Sequence, residues 1–297
     1  MFHIFLKTPL YKNSNFVPHL IEHLVLSDIN SSSKYFQNKN RFGENYLYYT
    51  NFFLDTKSKT ELNNFLEKIC SPLDKNKISY EKKVLFDELS ETKYIKKLIN
   101  KLIKKYFDIK IKYSKIQKVS NKEVFDYHNK YYKKENFIIL ETDKVEKRFL
   151  DEEFVVKDFF DLKIENTKEK VFLFDFSVQN IFITNFLQEL FEEYICYVDR
   201  YFSGKYYSNE VFLGEFEEII FMSISEKDFG KIIEIPSDFI KNFIKYKLNN
   251  FKKIDFSEND GISMLRFGYT FSDNDKKKIL NNLEKYFLEW KKFFIKS

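Results

Sequence analysis

Chemistry is concentrated in one short segment, His19-Leu20-Ile21-Glu22-His23. Wound as a helix, it places His19, Glu22 and His23 within an arc of about 100°, because residues three and four apart share a face. Two imidazoles and a carboxylate then look the same way. That donor set suits zinc, which takes neutral imidazole nitrogen readily, needs a third protein ligand and keeps one position open for water. A half-buried amphipathic helix would also explain the pattern. The chain has only four histidines, however, and two of them fall in this segment, which favours the metal.

A third ligand must come from elsewhere, and Glu81 and Glu88 in "EKKVLFDE" offer one. Seven residues are two helical turns, so both project from one face, about 10 Å apart. One ion cannot take both directly from a straight helix. One would be ligand and the other support, unless both are simply solvated glutamates among lysines.

The elements that must position these groups follow from periodicity and caps. Residues 2–6 read as a strand, 9–15 as a polar connection, and the next stretch as the motif helix, with Pro18 tolerated in its first turn. Residues 29–43 read as a loop ending at Gly43, and 45–55, dense in aromatic residues, as one strand. Ser58 and Glu61 form a capping-box pattern opening a helix to about Cys70, and a long helix is predicted over 78–107. Ser120 and Glu123 repeat the capping pattern before a helix and a strand at 136–140. The junction is placed at 150–168. Beyond it come a strand at 171–174, a helix over 180–201, an antiparallel pair joined near Gly214, and helices at 237–252 and 274–295. Ile279, Leu283, Phe287 and Trp290 of the last helix make an apolar stripe that reads as core.

Composition bounds the rest. At 297 residues two domains are expected, with a Phe-rich core given 36 Phe and 20 Tyr. Scarce Gly, Pro and Trp beside abundant Asn, Lys and Ile point to a coding bias, so the aromatics are discounted as stacking platforms. The net charge of +5 arises from 50 basic and 45 acidic residues, well mixed, which argues against nucleic acid as a partner. No apolar run approaches a membrane span and no leader pattern opens the chain, so a cytoplasmic protein without membrane contact is the default. Cys70 and Cys196 form no paired motif and read as small core residues. His3 and His128 read as structural.

Taken together, the segments resemble the pitrilysin/insulinase family of zinc peptidases, whose inverted H-x-x-E-H motif is a recognised zinc-peptidase signature. The resemblance rests on His19-Leu20-Ile21-Glu22-His23, on Glu81 with Glu88, on "HNKYYKKENFIIL" from His128, and on Arg200 and Tyr207 in "DRYFSGKYYS". It implies an α+β fold of two related domains, each a mainly antiparallel sheet with helices on one face, together half of a clamshell. Residues 1–155 would form the zinc-binding peptidase domain and 156–297 the domain carrying the Arg/Tyr motif. It also implies a zinc-dependent endopeptidase in which His19, His23 and Glu88 hold Zn2+, Glu22 is the base and Glu81 supports the site. Arg200 and Tyr207 would bind the substrate carbonyl. A peptide substrate is expected, and a homodimer in which Arg200 and Tyr207 act in trans. A non-catalytic member acting as a peptide-binding or partner subunit is the alternative.

Overall fold

A computed structural model describes residues 2–13, 16–30, 41–91, 93–108, 116–141, 146–147, 154–202, 211–216 and 218–295. Its internal contacts divide the chain into two units, Met1–Lys144 and Val145–Ser297. The division falls earlier than the expected 155/156. The reason is packing: Phe154 and Val156 are buried in the core of the second unit.

The first unit comprises β1 (Phe2–Leu6), α1 (Val17–Asn30), β2 (Arg41–Asn45), β3 (Thr50–Leu54), α2 (Lys59–Cys70), α3 (Ile78–Glu91), α4 (Lys93–Phe107), α5 (Asn121–Tyr131) and β4 (Phe137–Glu141). Its strands form one antiparallel sheet in the order β2-β3-β1-β4. Ile4 and Leu6 of β1, with Phe52 and Leu54 of β3, meet Leu20, Ile21, Leu24 and Val25 of α1 in a single apolar core. These four α1 residues recur at the helical period, and that stripe fixes which way the rest of the helix looks. Full burial of such side chains contributes ~1.5–3 kcal/mol each. Their sum exceeds the several kcal/mol that burying one carboxylate costs, so α1 can carry Glu22 inward.

Two expectations here are corrected. Residues 45–55 are not one strand but the end of β2, a turn closed by the Tyr46 N–H donating to the Tyr49 carbonyl, and β3; Arg41–Asn45 is strand rather than the end of a loop. The helix expected over 78–107 is described as α3 and α4, and residue 92 between them lies outside the described residues. Both capped helix starts are present: Ser58 accepts from the Glu61 N–H, and Ser120 and Glu123 make the full reciprocal box.

The second unit comprises β5 (Glu146–Lys147), β6 (Val156–Ile164), β7 (Thr167–Asp175), α6 (Val178–Phe202), β8 (Val211–Phe216), β9 (Ile219–Ser225), α7 (Glu226–Ile232), α8 (Ser237–Asn249), α9 (Ser257–Phe267), β10 (Thr270–Phe271), α10 (Asp273–Asn281) and α11 (Leu283–Ile295). Strands β6 to β9 form an antiparallel sheet in the order β6-β7-β9-β8, and β5 pairs with β10 in parallel. Helix α6 buries Phe182, Phe186 and Phe191 in a core closed by Tyr286, Phe287 and Trp290. Trp290 stands 4.9 Å from both Phe172 and Phe191.

The charged stretch expected to hold the junction contains β6 instead. Gly214 lies inside β8 rather than at its turn: a Cβ there would come within 2.6 Å of the Phe221 ring on β9. The helix expected over 274–295 breaks at Asn282, whose side-chain amide donates to the Lys278 carbonyl and ends α10. Cys70 and Cys196 are half-buried rather than core. Among the described residues no helix is long and apolar enough to cross a membrane.

Candidate metal centre

α1 and α3 pack against each other in the first unit, and five predicted site residues meet where they face. The His19 and His23 rings lie 4.9 Å apart, edge to face. From α3, Glu88 reaches across both, with Oε1 3.3 Å from His19 Nε2 and Oε2 3.1 Å from His23 Nε2. One turn-pair earlier, the buried Glu81 places Oε2 3.5 Å from His23 Nδ1. The seven-residue spacing thus separates the two roles, as a straight helix requires: Glu88 faces the Nε2 edges, and Glu81 backs one ring from its other nitrogen.

The donor set fits a zinc ion. One ligand atom from each of His19, His23 and Glu88 lies within 4.8 Å of the others. Tetrahedral ligands on bonds of ~2.0–2.1 Å stand about 3.3 Å apart, close to both distances from Glu88. An Nε2 lone pair facing a carboxylate repels it, so a cation or a ring proton must lie between them. Glu81 accepting from His23 Nδ1–H would hold that ring in the tautomer whose Nε2 lone pair is free.

Charge is distributed unevenly across these groups. Hydrogen bonding to His19 holds the Glu88 carboxyl below its usual range, with the charges of His19 and His23 adding to it. Burial opposes charge on His23, yet the hydrogen bond to Glu81 and the neighbouring carboxylates carry its pKa above the ordinary value. Glu22 is only 5% exposed. Burial raises its pKa, against the pull of His19, His23 and a hydrogen bond from Asn45. A carboxyl raised above its normal range beside a metal-type donor set is a candidate for proton exchange.

Two residues at this site escape a reading of the sequence. Asn45 Nδ2 donates to Glu22 Oε2 at 2.9 Å. Gly43 lies under the same carboxylate: a Cβ there would stand 2.7 Å from Glu22 Cγ and 2.8 Å from Oε1. Neither contact has a sequence signal beyond a glycine two residues before an asparagine, because both act through space on a residue of another element.

Arg200 is in the last turn of α6 in the second unit, exposed, on a cavity of about 480 Å³ shared with Glu193 and Tyr197. Tyr207 lies outside the described residues. His128 has Nε2 2.9 Å from the Ile69 carbonyl oxygen and is buried, and His3 is buried against Asn51. Neither meets the metal donors.

No protein-family model matches the chain, and no curated protein matches it. Solved structures do. The first half of the periplasmic protease PqqL from Escherichia coli superposes with a TM-score of 0.52 at 10% identity, over 98% of this chain and 83% of that one. A predicted insulinase family protease from Yersinia pestis gives a TM-score of 0.47 at 10% identity, with the same coverage. The PqqL match shows a shared α+β fold, and at this identity it shows the fold alone. The Yersinia match is too weak to add to it.

Proposed function

We propose that the chain is a zinc metalloendopeptidase that hydrolyses peptides or small unfolded polypeptides. One observation carries this reading: two imidazole nitrogens and the Glu88 carboxylate converge beside a buried second carboxylate, Glu22, that is itself held in place. His19, His23 and Glu88 would hold the ion. Bound zinc supplies a water whose pKa is lowered to about 7 and polarises the scissile carbonyl. Glu22 takes a proton from the attacking water and delivers it to the leaving amine. Glu81 keeps the His23 ring in orientation through Nδ1.

The remaining roles are carried over from the family resemblance. Residues 1–155 would be the peptidase domain and 156–297 the domain bearing Arg200 and Tyr207, which hold the substrate carbonyl and stabilise the developing oxyanion. An extended peptide would add to a sheet edge of the first domain, so main-chain pairing would account for broad sequence tolerance. The working form would be a cytoplasmic homodimer in which Arg200 and Tyr207 of one chain serve the site of the other. Gel filtration showing a fully active monomer would overturn that arrangement.

The test is zinc stoichiometry on the purified chain together with cleavage of a fluorogenic peptide mixture, with and without chelator. One zinc per chain and chelator-sensitive cleavage are expected. Glu22→Gln should keep zinc and lose activity by ~10²–10⁴-fold, the range of a general base. Zinc bound without cleavage of any peptide would favour a peptide-binding subunit instead.

A further inference from the structure

From Glu22, polar side chains of separate elements form a line; the Oε2 that starts it also stands 3.6 Å from His19 Nε2. Asn45, at the end of β2, donates Nδ2–H to Glu22 Oε2 at 2.9 Å. Thr50, at the start of β3, donates its hydroxyl to Asn45 Oδ1 at 2.7 Å. The Thr8 and Thr50 hydroxyl oxygens are 2.5 Å apart, and the Tyr132 hydroxyl also reaches Thr50. Thr8, Thr50 and Tyr132 are buried.

Counting hydrogens fixes the direction of the two bonds nearest Glu22. A carboxylate only accepts, so the amide must turn its nitrogen toward Glu22 and its oxygen toward Thr50. The Thr50 hydrogen is then committed to Asn45, and the Thr50 oxygen is left to accept from Thr8 or Tyr132, whose hydroxyls also lie 3.4 Å from the Leu6 and Pro18 carbonyl oxygens. The Thr50 and Asn45 donors therefore both point along the line toward Glu22. The Asn45 amide resists a flip, since that would set its oxygen against the Glu22 carboxylate and its NH2 against the Thr50 donor, at a cost of about 1–3 kcal/mol.

Gly43 completes the seat. It stands two residues before Asn45, on the same face of β2, and its missing side chain leaves the space that Glu22 Cγ and Oε1 occupy. One carboxylate oxygen rests over Gly43 while the other is tied to Asn45. A base that must meet a water within a few tenths of an ångström needs this kind of support, because a shift of 1 Å can cost on the order of 100-fold in rate.

We propose that Asn45 is a positioning residue for Glu22, its amide oriented by Thr50, so that β2 and the start of β3 set where the base stands. The inference rests on Glu22 being the base only for its effect on rate; where the carboxylate sits is a separate, structural claim. Two substitutions test it. Asn45→Asp keeps the shape but turns the donor into an acceptor facing Glu22. Thr50→Val keeps the volume and removes the donor that fixes the amide.

Crystal structures of wild type and both variants read the position directly, with or without activity. Asn45→Asp is expected to swing the Glu22 carboxylate out of hydrogen-bond reach of residue 45, and Thr50→Val to allow a rotated or split Asn45 amide. In peptidase assays kcat should fall by about 100-fold and about 10-fold respectively, with KM within about 3-fold and zinc content unchanged; Thr50→Ser should restore Thr50→Val. A Glu22 carboxylate that keeps its place in both variants overturns the proposal, as does a wild-type structure without the Asn45–Glu22 bond. Should Asn45→Asp not fold, Thr50→Val decides the matter alone. Displacement of Glu22 in a protein that cleaves nothing would uphold the positioning role and reject the peptidase reading.

Discussion

In the first unit β1 feeds α1, and the chain returns through the hairpin β2–β3; in the second, β7 feeds α6, and the chain returns through β8–β9. Strand neighbours correspond as well, since β2-β3-β1 and β8-β9-β7 run in the same order from an edge inward. What fills that shared frame differs. α1 pairs an apolar stripe with His19, Glu22 and His23, whereas α6 buries Phe182, Phe186, Leu187, Leu190 and Phe191. Near the end of the edge strand, Asn45 of β2 donates to a carboxylate on the helix. Near the end of β8, half-buried Glu215 holds both carboxylate oxygens out of solvent with no hydrogen-bond partner among the described residues. The frame supplies a place where helix and edge strand meet, and only complementary polar groups make that place a site.

The comparison can be tested by perturbing each half in turn. His19→Ala or Glu88→Ala should abolish stoichiometric zinc, weakening binding beyond the ~10–100-fold that loss of a supporting partner costs. Inductively coupled plasma mass spectrometry after dialysis reads this, and retention of one zinc per chain would break the assignment. In the second unit Phe186→Ala should lower stability by ~3–5 kcal/mol through the cavity it leaves, with zinc per folded molecule unchanged; urea denaturation measures it.

Glu215 sharpens the contrast through pH. Burial raises its pKa from 4.5 to about 7, opposed by Arg266 and assisted by Glu258. Because the folded value lies above the unfolded one, the associated stability is fully present below pH 4.5 and is lost as pH rises through about 7. Glu215→Gln should therefore raise stability by up to about 3 kcal/mol at pH 8 and change little at pH 4. Melting curves across that range would contradict this if both proteins fell in parallel. The smallest effect belongs to Gly43→Ala: turnover should drop ~10–100-fold as Glu22 is pushed aside, with zinc retained. Unchanged kcat in that variant would deny β2 its part in the site.

Much of this was legible in the chain. The motif on α1 needed only the helical period, and Ser58 and Ser120 announced their helices because a capping hydroxyl bonds a backbone N–H three residues on. The β2–β3 turn was not, since Tyr46 to Tyr49 contains none of the Gly, Pro or Asn-Gly signals that mark hairpins. β6 hid because an edge strand carries charges outward: Lys157 pairs with Asp175, and Asp161 with Lys170, on its partner β7. Glu81 and Glu88 could be narrowed to one ligand and one support from spacing, and the family resemblance allotted the ligand role to Glu88; the structure sets Glu88 against both Nε2 atoms and Glu81 against His23 Nδ1. Gly43 and Asn45 were beyond reach, because their contacts join elements that sequence order keeps apart.

One consequence concerns heat. β2 is hydrogen-bonded to the sheet along a single side, and outer strands fray at lower free energy than the strands they flank. If it peels away, Glu22 loses both its tether and its resting place while the helices and inner strands still give a native circular dichroism spectrum. Warming should then silence the protein several degrees before it melts, with the amides of residues 41–45 exchanging deuterium first.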